Sequence, residues 1–253
     1  MKCMKLNLIF TLFFLLALAF SSCDNDDTKV QSVVFETDFN SIAATQKSAV
    51  IATENLNADG WSPVFAEYPD GEGTFYELAS GLKNLPEPLD QTKKGFMLSG
   101  NNHSDALQMF LMKQLTGLEA KTKYTVETEV DLASKYPDGS VGIGGSPGNA
   151  VHLVSKFAMN GFSLDNVKGD NIKLVTKKEE GNPLSTIELE LGDVSLASEE
   201  YVYKLIRRNK SSDSNVVMTD QNGKLWVVVG TWSGFEGITT LYYTRIKITL
   251  TNV

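Results

Sequence analysis

YTVETEV, residues 124–130, alternates without a break. Tyr124, Val126 and Val130 fall on one face of an extended chain, and Thr125, Glu127 and Glu129 fall on the other. Side chains of a strand point to opposite faces in turn, so a period of two marks a half-buried antiparallel strand. The pattern recurs in IELEL (187–191) and in YTRIKITLT (243–251), where Ile246, Ile248 and Leu250 turn inward. Two runs, LQMFLM (107–112) and LWVVV (225–229), are apolar on both faces. They read as central strands shielded above and below. Residues 216–219 lead into the second through a turn ending in Asn222-Gly223, a strong hairpin signal. Asp59-Gly60, Pro69-Asp70-Gly71, Pro137-Asp138-Gly139 and Gly181-Asn182-Pro183 mark further turns. Many short strands with turn chemistry between them predict an all-β fold, a single antiparallel β-sandwich with little helix. Residues 198–208 read as a strand in spite of their acidic start, and residues 40–60 as a short helix or an elaborated loop.

The chain opens MKCMKLNLIFTLFFLLALAFSSC. Lys2 and Lys5 precede an apolar run over 6–20, and Ser21 and Ser22 precede Cys23, the layout of an export signal. A permanent membrane span needs about 20 apolar residues, so this run is short for one. The reading is a signal over 1–22, a flexible acidic tether over 23–31 and one sandwich domain over 32–253. Phe20-Ser21-Ser22-Cys23 resembles a bacterial lipobox, with Phe20 and Ser22 in place of the usual aliphatic residue and the usual Gly or Ala. The resemblance implies that Cys23 is acylated. Asp24, Asn25, Asp26 and Asp27 resemble the tether that sends some lipoproteins to the outer face of the outer membrane. Several acyl chains give stable anchoring where one does not. Ordinary cleavage near Ser22, leaving a soluble protein, is the alternative.

Cys3 and Cys23 are the only cysteines, so residues 32–253 hold no disulfide, no thiolate nucleophile and no zinc–thiolate site. The formal net charge is −8, spread along the chain. Nucleic-acid binding calls for clustered Lys and Arg. The nearest approach, Lys204, Arg207, Arg208 and Lys210, reads as a solvated strand end.

A second resemblance rests on FETDF (35–39), DGW (59–61), LTGL (115–118) before KYTV (123–126), and the closing YYTRIKITLTNV (242–253). Together these are similar to jelly-roll carbohydrate-binding modules, and also to bacterial surface lipoproteins without an assigned activity. The resemblance implies a jelly-roll topology. It also implies a structural calcium near the first and last strands, which points to Glu36 or Asp38. Thr244 and Arg245 stand where an acidic partner for that ion would be useful.

Candidate chemistry is sparse. His103 and His152 lie too far apart for a zinc motif. Asn101-Asn102-His103-Ser104-Asp105 holds Ser, His and Asp as sequence neighbours, which cannot line up as a triad. Glu127/Glu129 and Glu188/Glu190 satisfy the carboxylate spacing of glycoside hydrolysis because they sit two apart on strand faces. The aromatic residues say more. Trp226 lies in an apolar strand and reads as core, whereas Trp61 and Trp232 lie in Gly- and Pro-containing loops. Flat aromatic faces stack on the C–H faces of sugars, with amides and carboxylates taking the hydroxyls. Tyr68, Asn101, Asn102, His103, Phe235 and Glu236 could supply those parts beside Trp61 and Trp232. Inward-folded tryptophans capping the sandwich ends are the competing reading. VGIGGSPGNAVHL (141–153) has neither the Lys-Ser/Thr of a phosphate loop nor a helix after its glycines, so it reads as a corner between strands.

Three functions stay open: a lipid-anchored surface protein with a non-catalytic glycan-binding or accessory role, a polysaccharide lyase or glycoside hydrolase, and an adhesion or assembly component. The second would use Glu127, Glu129 and His103 on a concave sheet face. Apart from a structural calcium, no cofactor is implied.

Overall fold

The computed structural model describes residues 30–42, 58–166 and 170–253. The first part of the chain forms β1 (Ser32–Asp38), β2 (Ser62–Ala66), β3 (Tyr68–Pro69), β4 (Ala79–Asn84), β5 (Lys94–Asn101) and β6 (Gln108–Leu115). Next come β7 (Lys123–Ser134), β8 (Tyr136–Pro137), β9 (Val151–Ala158), β10 (Phe162–Asp165), β11 (Asn171–Thr176) and β12 (Thr186–Asp193). The chain closes with β13 (Ser195–Leu196), β14 (Lys204–Ser211), β15 (Val217–Met218), β16 (Leu225–Ser233) and β17 (Ile238–Asn252). Two single 3-10 turns, Phe39–Ser41 and Pro183–Ser185, are the helical structure among the described residues. The expected signal over 1–22, Cys23, the tether as far as residue 29 and most of the stretch 40–60 lie outside the described residues.

β13 and β8 make a separate short parallel pair, and twelve of the other strands form two antiparallel sheets. One runs β14–β7–β17–β5–β4, with β1 also on β17 and β15 also on β7; the other runs β12–β9–β16–β6–β2. The pairing has a simple logic. β5 pairs with β17, β6 with β16, β7 with β14, and β9 with β12, so a long double ribbon closes on the β9–β12 end. Successive pairs alternate between the two sheets. That winding of a paired ribbon into two sheets is a jelly roll.

The alternation read in YTVETEV is the register of β7. Tyr124, Val126, Val130 and Leu132 enter the core, and Glu127, Glu129 and Asp131 face out. From the opposite sheet Leu111, Leu153, Phe157, Val227 and Val229 meet them. Burying each such side chain contributes about 1.5–3 kcal/mol. Ser155 donates to Thr128 across the two sheets at 3.0 Å, so this fully buried polar pair is satisfied.

The apolar outer faces of β6 and β16 have their own explanation. The β10–β11 hairpin, with β3 beside it, lies over the outside of the five-stranded sheet. Phe162 and Leu174 pack there on Phe110, Val154, Ala158 and Val228, with Met112 and Trp226 at the margin. This third layer was not expected from the sequence. Two other expectations change. Asn222-Gly223 does form a turn, but β15 joins one sheet and β16 the other, so the two strands are not a hairpin. The strand expected over 198–208 begins only at Lys204.

β17 runs the length of the molecule and defines two ends. Ile238 pairs with Asn101 at one, and Thr251 pairs with Ser32 and Thr125 at the other. At about 3.3 Å per residue, the ends stand roughly 45–50 Å apart. The loops after β3, β5, β8, β13 and β16 gather at the first end, which we call the crown. Both termini of the described domain meet at the other, where Asn252 N–H donates to the Gln31 carbonyl.

Candidate functional site

The crown brings together Tyr68, Asn101, Asn102, His103, Trp232, Phe235 and Glu236, which the sequence scatters over more than 160 positions. It does not include Trp61. The Asp59-Gly60 turn, with φ of 53° and 82°, folds that indole inward, where it is 2% exposed. Trp61 Nε1–H donates to Thr37 Oγ1 at 3.1 Å, and Lys113 Nζ stands 5.7 Å from the ring. No face of Trp61 is left for a ligand.

Asn102 is also engaged in the fold. Its Nδ2 donates to the Ser233 and Phe235 carbonyls at 2.8 Å each, and its Oδ1 accepts from the Ser104 and Leu107 backbone. This buried amide ties the loop after β5 to the loop after β16. Phe235 is half-buried beneath Gly142, where a Cβ would come within 2.6 Å of its ring. Gly144, at φ +69°, crosses so close to Gly234 that a Cβ would lie 2.1 Å from its carbonyl oxygen. The glycines of VGIGGSPGNAVHL therefore let one crown loop lie directly on another. Glu236 stays exposed and Asn101 Nδ2 donates to Glu77 Oε1 at 2.9 Å.

Two open aromatic stacks remain. Trp232 ends the outer row Trp226, Val228, Gly230 of β16, beyond the reach of the β10–β11 layer, and is 38% exposed. Its cross-strand partner on β9 is His152, whose ring lies parallel to the indole at 4.1 Å and 9°. His152 Nδ1 in turn lies 3.2 Å from Glu190 Oε1 on β12. In the second stack, Phe75 is 59% exposed and lies on the exposed His103 at 4.3 Å and 24°. Tyr76 meets His103 edge-on at 5.2 Å, and Tyr68 packs on Tyr76 at 5.7 Å. Both histidines of the chain thus stack on exposed aromatic rings at one end of the molecule. A shallow groove of about 600 Å³ between β12 and β14, lined by Glu188, Asn209, Lys210 and Asp213, meets this surface at Glu190.

Neither a protein-family model nor a curated protein matches the chain. Solved structures do align, and three of them follow, each at a TM-score below 0.4. The enzymatically active domain of Bacteriophage CBA120 tailspike protein 4 aligns at TM-score 0.36 and 9% identity, over 78% of this chain. This chain spans only 21% of that one. The carbohydrate-binding module TmCBM61, solved with β-1,4-galactotriose, aligns at 0.33 and 10% identity over 78% of this chain and 98% of its own. The K3 cleaved adhesin domain of Lys-gingipain from Porphyromonas gingivalis W83 aligns at 0.34 and 11% identity, over 84% and 97%. The assignment of the fold here rests on the strand order itself.

The residues of the enzymatic reading are not assembled. Glu127 and Glu129 lie on the outer face of the seven-stranded sheet, and His103 lies in the crown. Glu129 pairs with Lys247, nine residues along β17 from the crown residue Ile238, or roughly 30 Å. Glu129 accepts from Lys247 Nζ at 2.6 Å and Arg245 Nη2 at 3.2 Å. The hydrogen bond from Lys247 chiefly holds its carboxyl below the usual range. A general acid needs the opposite shift. Glu36 pairs with Arg245 at 3.1 Å, and Asp38 caps the turn Phe39–Ser41 by accepting from Asn40 N–H. With a guanidinium against Glu36, these two carboxylates do not fit the calcium site that the resemblance implied. Among the described residues, no group of three His, Cys, Asp or Glu side chains is placed to hold a metal.

The sequence reading missed three contributors. Phe75 lies in a Gly-containing loop like those that drew attention to Trp61 and Trp232. Glu190 reads in sequence as a partner of Glu188, whereas the fold makes it the neighbour of His152. The stack of His152 on Trp232 depends on β9–β16 pairing, which joins positions 80 apart.

Proposed function

We propose that this protein is a lipid-anchored surface protein that binds glycan chains non-catalytically through its crown. The single observation that carries the reading is Trp232, an aromatic ring left open at the uncovered end of a sheet, flanked by His152 and Glu190. Sugars offer a C–H-rich face to such a ring and hydroxyls to the polar groups around it. An open face continuous with a shallow groove suits a chain lying across it. Anchoring at Cys23 fits the geometry, because residue 30 emerges at the pole opposite the crown and the ligand face would point away from the membrane. Affinity electrophoresis in gels containing single polysaccharides tests the reading. At least one glycan should retard the wild type and leave Trp232→Ala unretarded. Equal mobility of the two proteins in every gel would reject it.

A further inference from the structure

The crown is also where the molecule keeps its charge. Its segments, residues 67–78, 101–107, 135–150, 193–204 and 233–238, carry ten carboxylates against two ammonium groups, Lys135 and Lys204. The formal excess of acid over base in the whole chain is 8, so this pole holds all of it. Elsewhere the 21 remaining carboxylates are balanced by 21 lysines and arginines, and several of them pair. Glu36, Glu129 and Asp131 share Arg207, Arg245 and Lys247, and Glu188 faces Lys156. At the crown, Asp193 reaches Arg208 at 3.7 Å. Asp70, Glu72, Glu77, Asp105, Asp138 and Glu236 are exposed and make no ion pair among the described residues.

Inside this field stand apolar tips. Phe75, Val141, Ile143, Trp232 and Ile238 are 38–94% exposed. A patch of one sign concentrates the opposite charge and repels its own. An ammonium is also drawn to the open face of an aromatic ring. A uronate or sulfated chain would meet repulsion at every loop, and a neutral chain would engage the carboxylates only as hydroxyl acceptors and leave their charge uncompensated. We infer that the crown takes a glycan bearing free amino groups, with C–H faces on Trp232 and Phe75 and ammonium groups on the surrounding carboxylates. Asp105 and Glu236 stand on the two loops that flank Trp232, which are joined by the bond from Ser233 N–H to the Leu107 carbonyl. This inference rests on the glycan-binding reading and narrows it.

The test titrates the detergent-solubilised full-length protein with three oligosaccharides: a glucosamine hexamer with free amines, its N-acetylated counterpart and a hexuronate. The amine hexamer should bind at least about tenfold more tightly than the N-acetylated one at about 20 mM salt. The preference should shrink several-fold at about 300 mM salt, where screening shortens the reach of the field. Asp105→Asn with Glu236→Gln should reduce it at unchanged Tm, both side chains being exposed and the replacements nearly isosteric. Trp232→Ala should weaken binding of the amine hexamer about 5- to 30-fold. Equal binding of the amine and N-acetyl hexamers, or tighter binding of the hexuronate, overturns the amine assignment while the glycan reading stands. If Trp232→Ala leaves the affinity unchanged, or oligolysine binds as tightly, the attraction is that of any polycation and the assignment falls. If none of the three sugars binds while some polysaccharide still retards the protein in the gels, the amine assignment falls and the glycan reading stands; if no gel retards it either, both fall.

Discussion

At Trp232 a single side chain separates binding from folding. Its ring is 38% exposed, stacks on His152 and belongs to neither core cluster, so removing it leaves the sandwich intact. Trp232→Ala is expected to weaken glycan binding about 5- to 30-fold, the 1–2 kcal/mol typical of a stacked aromatic, with little change in Tm. Trp61→Ala should do the reverse. Its indole is 2% exposed and donates to Thr37, so its loss should cost about 3–5 kcal/mol in denaturant unfolding, while folded protein keeps its affinity. The two tryptophans look alike in sequence, each followed by Ser and within two residues of Gly. What divides them is φ at Asp59 and Gly60 for one, and the point where the β10–β11 layer stops for the other. Neither is written in the local residues. Asn102 and His103 show the same limit, since adjacent polar residues end up as a buried tie and an exposed stacking ring.

Strands were more legible than sites because alternation is local. YTVETEV, IELEL and YTRIKITLT lie in β7, β12 and β17 with the apolar faces expected of them. Alternation does not say what the polar face does. In the seven-stranded sheet it forms two cross-strand rows, Glu36–Lys247–Glu129 and Asp38–Arg245–Asp131–Arg207. A bulge at Thr244 shifts the register of β17 against β7 and sets Arg245 among Asp131, Glu129 and Glu36. Deleting Thr244 would bring Tyr243 and Ile246 to the two-residue spacing of a regular strand with both still inward, and soluble expression should be kept. Arg245→Met should cost about 2 kcal/mol by stripping partly buried carboxylates of their partner. The pH response gives a separate check. Burial opposes ionisation of Asp131, yet Arg207 and Arg245 outweigh it and hold the carboxyl below its usual range; Lys247 and Arg245 do the same for Glu129. Groups with depressed values stabilise the fold fully above the ordinary carboxylate range and lose that contribution as pH falls through their folded values. Wild-type stability should therefore drop below about pH 4, and the drop should be shallower in Arg245→Met.

Taken whole, the molecule is a ribbon whose paired strands come from distant parts of the chain, β1 with β17 and β5 with β17. Such non-local pairing predicts folding in milliseconds to seconds, not microseconds, as stopped-flow refolding would show. The two-pole arrangement was not legible in sequence, because it follows from which ends the crossovers leave at. Cys23→Ala should release the protein from the membrane fraction while its glycan affinity is kept, as fractionation with the gel assay would show. The pairing of β1 with β17 also has a mechanical consequence. Seven residues of β1, from Ser32 to Asp38, face β17 antiparallel. A pull entering at Ser32, resisted by a ligand held at the crown, acts along these strands and loads their hydrogen bonds in shear, all at once. Peeling the same ladder sideways would break the bonds one by one at far lower force. A pull entering at the first strand therefore meets the stronger of these two geometries.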